Sequence, residues 1–341
     1  MSTTIQPETI LRQLADLWVT LGKEVEPGPS GVLRACAMTF IAATDESEDP
    51  SDIWATIAAL MPEHPSRAVV IRFRESAARE LSARVFSQCW MPFGHRRQIC
   101  CEQIEITASD TSLPDLPAVI LPLAVADLPV ILWCRGSRLF RLPEFPQLAK
   151  VAHKLVLDSA AFQDPIAILN QLASRAQSNQ VLADLAWTRL TRGRELISQI
   201  FENRSYLSKL PEVTEISIAF GGSHPPTAAY YLAAWLLDCF AKVGANAKIA
   251  WQPVGDAPDG ALRGVELVTR GAGGLRVSMA VASDGGGQPV EIQIDSLSNR
   301  VIFPPSNDYT SLREELSIPG RDPVFEASLS QAARLASAEA E

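Results

Sequence analysis

The chain has 341 residues, of which 47% are hydrophobic and 20% charged, so it can bury sizeable cores and is not disordered as a whole. At roughly 150 residues per domain, this length predicts about two domains. The chain has 30 Lys and Arg residues and 39 Asp and Glu residues, so its net charge is −9. This negative charge disfavours a protein that binds nucleic-acid phosphates non-specifically.

The beginning of the sequence predicts a helix. No basic segment followed by an apolar one is found there, so we expect no secretory signal. Residues 9–21 place Ile10 and Leu14 at helical spacing, which indicates an amphipathic helix. The most apolar stretch, residues 113–134, contains two aspartates and four prolines, which a lipid-facing helix tolerates poorly. We therefore expect a cytoplasmic protein without a membrane partner.

Strands and helices alternate through the first half of the chain. The predicted strands cover residues 33–43, 68–73, 98–107 and 128–134, and the predicted helices between them cover 52–60 and 115–126. This order is typical of an α/β sheet with right-handed crossovers. We expect residues 1–160 to form an N-terminal α/β domain that includes the first helix.

The next strand, residues 154–157, ends in Asp158 and Ser159. In open α/β sheets, ligands collect at the carboxyl ends of strands, so both residues are candidates for a binding site. The alternative is that either side chain only caps the turn that follows.

Two long helices are predicted next, over residues 164–176 and 182–201. One face of the second helix is apolar except for an arginine, and it consists of Trp187, Leu190, Arg194, Ile197 and Phe201. A buried guanidinium needs a carboxylate, phosphate or carbonyl partner. Arg194 is therefore explained either by an internal salt bridge with Asp158 or Asp184, or by an anion site. Arg189 lies on the other side, as a solvated charge would.

The second half predicts a different architecture, a mainly antiparallel sheet with helices. A strand over residues 214–220 leads through a glycine-containing turn into a helix over 227–240, and such a turn can hold an anion. Further strands are predicted at 248–252, 264–269, 275–282 and 290–294, with glycine-rich hairpin turns. We expect residues 161–341 to form the C-terminal domain. It would close with two short helices and a tail at 327–341 that frays.

Cysteine and histidine spacing indicates neither a metal site nor a cofactor. None of the six cysteines forms a C-x-x-C pair, and the four histidines are isolated. We expect mostly reduced, buried thiols. Cys100 and Cys101 are adjacent and would point to opposite faces of a strand, so no bridge is expected between them. Because no hydrolase, kinase or nucleotide signature is present, we expect no catalytic residues and no cofactor.

Four groups of segments occur together over residues 30–330. They are EHPSR at 63–67 before a strand; LPL at 121–123 with DLPVILW at 127–133; VLDS at 156–159 with DLAWTRLT at 184–191 and Arg194; and EEL at 314–316 with GRDPVFE at 320–326. In this order they resemble the OpcA-type glucose-6-phosphate dehydrogenase assembly proteins. Ala186 and Gly193 depart from the family pattern, which has asparagine and tryptophan there.

The resemblance implies a non-catalytic partner protein in the oxidative pentose phosphate pathway. Its partner would be glucose-6-phosphate dehydrogenase, and its role that of an assembly factor or allosteric activator. Interface hot spots favour Trp, Tyr and Arg. The candidate binding residues are His64, Arg67, Trp133, Asp158, Ser159, Trp187, Arg189 and Arg194. For each of them the alternative is core packing or an internal ion pair.

A sugar-phosphate-binding α/β enzyme or sensor is the alternative function. Arg67 and Arg194 would then contact the phosphate, and Asp158 and Ser159 the hydroxyls, because arginine suits bidentate phosphate binding. A sugar phosphate could also act as an effector of the partnership. The sequence leaves open the contact surface, the stoichiometry and the oligomeric state of the chain.

Overall fold

The computed structural model describes residues 6–24, 32–92, 98–178, 180–255, 257–269, 276–281 and 288–339. The chain divides into two compact units. The first comprises Met1–Asp158 and Asn179–Ala183, and the second comprises Ser159–Ser178 and Asp184–Glu341. The predicted fold class is confirmed, because a mostly parallel sheet (sheet A) comes first and a mainly antiparallel one (sheet B) with helices follows.

Sheet A contains strands whose central members are buried on both faces. Its strands are β1 (Val32–Arg34), β2 (Met38–Asp45), β3 (Ser66–Arg74), β4 (Leu81–Trp90), β5 (Gln98–Ser109), β6 (Val130–Cys134), β7 (Lys154–Leu157) and β8 (Val181–Asp184). Their order is β1-β5-β3-β2-β6-β7-β8 with β4 paired to β5, and only the β4–β5 pair is antiparallel among the pairings described. Burial on both faces explains why β2, β3 and β6 show no polar alternation.

The first unit has the three predicted helices, with corrected bounds, and two short ones that were not predicted. The predicted ones are α1 (Pro7–Glu24), α2 (Pro50–Leu60) and α3 (Leu116–Leu123), and the short ones are α4 (Ser137–Phe140) and α5 (Phe145–Ala149). Helix α1 buries Ile10 and Leu14, as its periodicity predicts. Helix α2 begins after Asp49, whose carboxylate accepts from the Ser51 N–H at 2.9 Å, so it starts two residues before the predicted bound at residue 52. Helix α3 is shorter than predicted and follows a 3₁₀ turn at Asp110–Asp115.

Strand β4 has no counterpart in the prediction, because its segment is polar and its side chains are mostly exposed or half-buried. It brings Cys89 opposite Cys100 of β5, and the two sulfurs form a disulfide with the Cα atoms 4.1 Å apart. The expectation of reduced cysteines is therefore wrong for this pair, because directly opposed residues on antiparallel strands have their Cβ atoms close together. Cys101 is a buried free thiol, consistent with the alternation of side chains along the strand.

In the second unit, sheet B combines one parallel pair with an antiparallel meander. Its strands are β9 (Val213–Gly221), β10 (Lys248–Val254), β11 (Leu262–Thr269), β12 (Arg276–Val281), β13 (Gln288–Ile294) and β14 (Leu297–Phe303), in the order β10-β9-β11-β12-β13-β14. Strands β9 and β10 are parallel, because a helix connects them, and the other described pairs of the sheet are antiparallel, in agreement with the prediction of a mainly antiparallel sheet. Strand β14 was not predicted.

The helices of this unit are α6 (Pro165–Ala176), α7 (Leu185–Thr188), α8 (Thr191–Ile200), α9 (Arg204–Leu207), α10 (Thr227–Lys242), α11 (Asp308–Leu316) and α12 (Pro323–Ala338). The helix predicted over 182–201 is wrong in part. Its first residues form β8, and α7 ends before α8 begins.

The C-terminal segment is also corrected by the structure. Helix α12 continues to Ala338 and packs against α10 and α6, so the prediction of a frayed tail at 327–341 is wrong over the described part of that segment. Leu329, Ala332 and Ala336 are fully buried. Small alanine side chains allow this close packing between helices, and alanine-rich composition alone does not distinguish that from fraying.

Candidate functional site

Asp184 organises the predicted site residues of the second unit. It is 1% exposed and stands at the N-cap of α7. One carboxylate oxygen accepts hydrogen bonds from the Ala186 N–H at 2.9 Å and the Ser159 N–H at 3.0 Å. The other accepts from the Tyr231 hydroxyl at 2.8 Å. Asp184 thus fixes the predicted candidate Ser159 and joins it to α7 and α10.

Trp187 lies at the centre of an aromatic cluster. Its ring packs edge-on against Tyr231 and at a tilt against Phe325, with centroids 5.9 Å away in both cases. Its indole N–H donates to Asp322 at 3.3 Å, and Asp322 also accepts the Val324 and Phe325 N–H groups to cap α12. Because Trp187 is 3% exposed, its ring belongs to the core and offers little surface to a partner.

Arg194 is held by the face of Trp187 and not by a carboxylate. Its guanidinium carbon lies 3.6 Å from the centre of the Trp187 ring, and one terminal nitrogen donates to the Thr191 hydroxyl at 3.0 Å. Within the described part of the chain it makes no ion pair, so the predicted salt bridge with Asp158 or Asp184 is not formed there. Burial lowers the pKa of Arg194, and the nearby negative charges of Asp322 and Glu314 act in the opposite direction.

The same guanidinium borders a surface cavity of about 430 Å³. The cavity is lined by Thr191, Arg194, Glu195, Ser198, Gln199, Glu202 and Trp235. Two carboxylates share this cavity with the arginine, so it does not have the charge of a dedicated phosphate pocket. The buried Nε of Arg194 has no hydrogen-bond partner within the described ranges of the chain.

Segments that resemble the family at 184–191 and 314–326 meet around these residues. The Thr188 hydroxyl donates to Glu315 at 3.0 Å, and Glu315 is 5% exposed. Asp322 accepts from Trp187, as described above. The roles of Glu315, Asp322 and Tyr231 were not predicted, because a single sequence does not show which distant carboxylate or hydroxyl reaches a buried donor.

In the first unit, Arg67 belongs to a buried ionic cluster with Glu102. Its Nε donates to Glu102 at 2.6 Å, and one terminal nitrogen donates to the Leu123 carbonyl at 2.6 Å. Glu102 also accepts from the Trp18 indole of α1 at 2.6 Å and pairs with Arg34 at 2.8 Å. The family segments at 63–67 and 121–123 thereby contact one another. Glu102 was not predicted, although it joins α1, β1 and β3.

Four predicted candidates remain: His64, Trp133, Asp158 and Arg189. His64 is half-buried, and its backbone N–H donates to the Leu60 carbonyl at 2.8 Å in the turn after α2. Trp133 is 1% exposed in β6 beside Phe40 and beneath the Arg135 guanidinium, so it has little surface for a partner. Asp158 and Arg189 are half-buried and have interaction partners.

In the residues that the structure describes, no helix is long and apolar enough to span a membrane. The same residues contain no group of three or more His, Cys, Asp or Glu side chains arranged to hold a metal ion.

Two family models together match most of the chain. The model described as the glucose-6-phosphate dehydrogenase subunit N-terminal domain matches residues 57–174. The model described as the C-terminal domain of the same subunit matches residues 180–329. The chain belongs to the OpcA family. The matched ranges include the Arg67–Glu102 pair and the Trp187 cluster.

Two curated cyanobacterial members of the family are similar in sequence. The chain is 27% identical over 205 residues to a protein of Synechocystis sp. that is provisionally named OxPP cycle protein OpcA, and the match covers 60% of this chain and 40% of the relative. It is 27% identical over 156 residues to the protein of that name from Nostoc punctiforme, with coverage of 46% and 31%. The chain therefore matches less than half the length of either relative.

Two solved structures align with most of the chain at low similarity. A 3-ketoreductase from Actinomadura kijaniata in complex with NADP has a TM-score of 0.47 and 11% identity, with 88% of this chain and 96% of that chain covered. An aldose-aldose oxidoreductase from Caulobacter crescentus complexed with glycerol has a TM-score of 0.48 and 10% identity, with coverage of 89% and 98%. Values this low assign neither an activity nor a cofactor to the present chain.

Proposed function

We propose that this chain is a non-catalytic assembly factor or allosteric activator of glucose-6-phosphate dehydrogenase, acting in the cytoplasm. Membership of a family whose models are described as domains of that enzyme's subunit supports the proposal. The OxPP cycle in the relatives' names is consistent with it. The match covers only 40% and 31% of the two relatives. We therefore give glucose-6-phosphate dehydrogenase as a proposed partner of this chain.

The observation that carries the proposal is that the family segments contact one another inside each unit. In each unit family segments contact one another through hydrogen bonds, as in Arg67 with the Leu123 carbonyl and Trp187 with Asp322. Such contacts build a rigid scaffold, on which a partner surface can be displayed.

Among the predicted candidates, Arg194 best suits direct contact with the partner. It is half-buried, borders a surface cavity and has no carboxylate partner among the described residues. Stacking on Trp187 holds its guanidinium in place, which reduces the entropy lost when a partner binds. Arginines held in this way are frequent hot spots of interfaces.

Binding can activate or assemble the enzyme only through a difference in affinity. A partner that binds two oligomeric states equally well shifts nothing, however tightly it binds. We therefore propose that the chain binds the active oligomer of the dehydrogenase more tightly than the inactive form.

The test mixes the purified chain with the dehydrogenase of the same source at micromolar concentrations. Light scattering reports the oligomer distribution, and initial rates over a range of substrate concentrations report the kinetics. We expect a shift in at least one of them. Two unchanged readouts would refute the proposed function.

A matched pair of variants then tests the contact residue. Arg194→Gln should weaken the effect on the dehydrogenase about tenfold, as expected for loss of a charge-assisted hydrogen bond. Arg192→Gln is the control, because Arg192 lies on the same helix with a 63% exposed side chain paired to Glu195. Equal effects of the two variants would exclude Arg194 as the specific contact.

The alternative function, a sugar-phosphate-binding enzyme or sensor, is less well supported than the assembly role if it uses the residues predicted from the sequence. Arg67, one of its two proposed phosphate ligands, is 7% exposed and donates to Glu102 and the Leu123 carbonyl. Breaking this buried pair to bind phosphate would leave the Glu102 charge with less compensation.

A further inference from the structure

A second cavity lies at the N-terminus of α10, and it has a volume of about 330 Å³. Its walls come from three segments of the second unit: the 3₁₀ turn and following residues at 159–165, the turn at 223–227, and the loop at 259–260. The strand end at Ser159 and the glycine-containing turn at 221–226 were separate features of the sequence. The structure brings both to one cavity.

The helix end that borders this cavity lacks a side-chain cap. Helix α10 has 16 residues, and its N-cap position is Pro226, which has no polar side chain. The first N–H groups of a helix have no partner within the helix, and the aligned peptide dipoles make this end positive. A negatively charged ligand group would be stabilised at this position.

Two hydroxyl groups in the cavity wall point independently to a missing partner. Ser159 is 0% exposed and Thr227 is 1% exposed, and both residues line the cavity. Among the residues that the structure describes, neither Oγ of Ser159 nor Oγ1 of Thr227 has a hydrogen-bond partner. Buried hydroxyls are normally hydrogen-bonded, because leaving one unpaired is unfavourable. A bound ligand would supply the partner for both.

Two glycines in the turn allow the third wall of the cavity, the loop at 259–260, to pack closely against that turn. A Cβ on Gly221 would lie 1.9 Å from the Pro258 carbonyl oxygen. A Cβ on Gly222, whose φ is +96°, would lie 1.8 Å from a carboxylate oxygen of Asp259. The loop is also tied to the turn by a hydrogen bond from the Gly260 N–H to the Gly221 carbonyl at 3.1 Å. Only glycine at 221 and 222 fits the loop in this position.

We propose that this cavity binds a small hydroxylated metabolite that carries a single phosphate or carboxylate group. The oxyanion accepts hydrogen bonds from the N–H groups of Thr227 and Ala228, the first two of α10, and from the hydroxyls of Ser159 and Thr227. The carboxylate of Asp259 and the amide of Gln163 are available for the hydroxyls of the ligand. Asp259 also disfavours a second anionic group, which excludes diphosphates.

The experiment uses the purified full-length chain and simple probes. Glycerol 3-phosphate carries a phosphate and hydroxyls, glycerate carries a carboxylate and hydroxyls, and glycerol carries hydroxyls alone. Isothermal titration and thermal unfolding are measured with each probe and with inorganic phosphate. We expect glycerol 3-phosphate or glycerate to bind and raise the melting temperature, and the difference between them identifies the oxyanion. Glycerol should bind at least tenfold more weakly.

A matched pair of variants locates the site. Thr227→Val removes one unpartnered hydroxyl with little change in volume, and it should reduce the affinity about tenfold. Thr44→Val is the control, because Thr44 is 0% exposed in sheet A and its hydroxyl is also unpartnered. Neither variant removes a hydrogen bond of the unliganded protein, so both should fold. Circular dichroism checks this.

Three results would overturn the proposal. They are the absence of binding by all the anionic probes at millimolar concentration, binding of glycerol as tight as that of the anions, and unchanged affinity in Thr227→Val. Because no dehydrogenase is present in these measurements, their outcome does not depend on whether the proposed partnership exists. The chain could bind a ligand in this cavity and have no effect on the dehydrogenase. It could also affect the dehydrogenase and bind no ligand here.

Discussion

Arg194 stacks on Trp187 across a break between two helices, with the guanidinium carbon 3.6 Å from the ring centre. Helix α7 ends at Thr188 and α8 begins at Thr191, so a continuous helix is not what brings the two residues together. The ring therefore takes the place of the carboxylate that a buried arginine usually requires. The contributions of the Trp187 ring and of the Arg194 charge to stability can therefore be measured with separate substitutions.

Trp187→Ala should destabilise the protein by about 3–5 kcal/mol, because it leaves a cavity between Tyr231 and Phe325. Arg194→Met should change stability by less than about 1 kcal/mol, since the lost cation–π contact is offset by relief from burying a charge. Urea denaturation measures both. A loss for Arg194→Met as large as that for Trp187→Ala would contradict this assignment.

Glu102→Gln should cost about 3 kcal/mol in the free energy of unfolding, because it leaves the buried Arg67 guanidinium uncompensated. Their side chains are 4% and 8% exposed. The control is Glu46→Gln, which breaks an ion pair with Arg74 whose side chains are 28% and 48% exposed. Exposed pairs contribute little, so the control should cost less than about 1 kcal/mol. Similar losses in chemical denaturation would show that the buried pair is not special.

Gly221→Ala should destabilise the protein by about 1–3 kcal/mol, since its Cβ would force the backbone at Pro258 to move. Gly255→Ala is the matched control, because a Cβ at that position meets nothing within 4 Å. It should be neutral or slightly stabilising through reduced entropy of the unfolded chain. Thermal unfolding compares them, and a tolerated Gly221→Ala would mean that the loop at 257–260 has freedom to shift.

Leu329→Ala should cost about 2–5 kcal/mol, since Leu329 is 0% exposed on α12. Val324→Ala, on the same helix but 47% exposed, should cost less than about 1 kcal/mol. Denaturant midpoints give the comparison. If Leu329→Ala were neutral, α12 would not be part of the folded core.

Alkaline pH should destabilise the protein partly through Cys101. Burial raises the pKa of this thiol from 9.0 to about 11. The folded protein then keeps a proton that the unfolded chain releases, so this contribution to stability is complete below pH 9 and is lost as the pH rises towards 11. Cys101→Ala should flatten the fall in unfolding free energy between pH 9 and 11. An unchanged slope would assign the alkaline loss to other groups.

The sequence predicted elements best where burial produced a simple pattern. The apolar runs of β2, β3 and β6 and the periodicity of α1 follow from burial of both faces of a strand or one face of a helix. It failed where tertiary contacts decide the outcome. The segment of β8 has a helix-compatible pattern, yet Asp184 caps α7 and starts the helix only at Leu185. Strand β4 shows no apolar run, because only one of its ten residues is fully buried and the others are half-buried or exposed.

For the candidate site, the sequence identified both members of the Arg194–Trp187 contact, but it did not identify the carboxylates that accept hydrogen bonds from Arg67 and Trp187. Arg67, Trp187 and Arg194 were selected by residue type and position. Glu102 and Asp322 were not, since carboxylates are frequent in the chain and only the fold shows which one is buried beside a donor. Binding roles for the candidate residues stay predictions, and so does the domain boundary after residue 160, because compactness does not show that a segment folds alone.

The path of the backbone between the two units affects how they can be studied apart. Residues 159–178 belong to the second unit, residues 179–183 return to the first, and the chain re-enters the second at Asp184. No single cut therefore yields two intact units. Cleavage after residue 158 removes residues 179–183 from the first unit, and cleavage after residue 183 removes residues 159–178 from the second. Separate production of either unit would require a rearranged gene in which the exchanged pieces are rejoined.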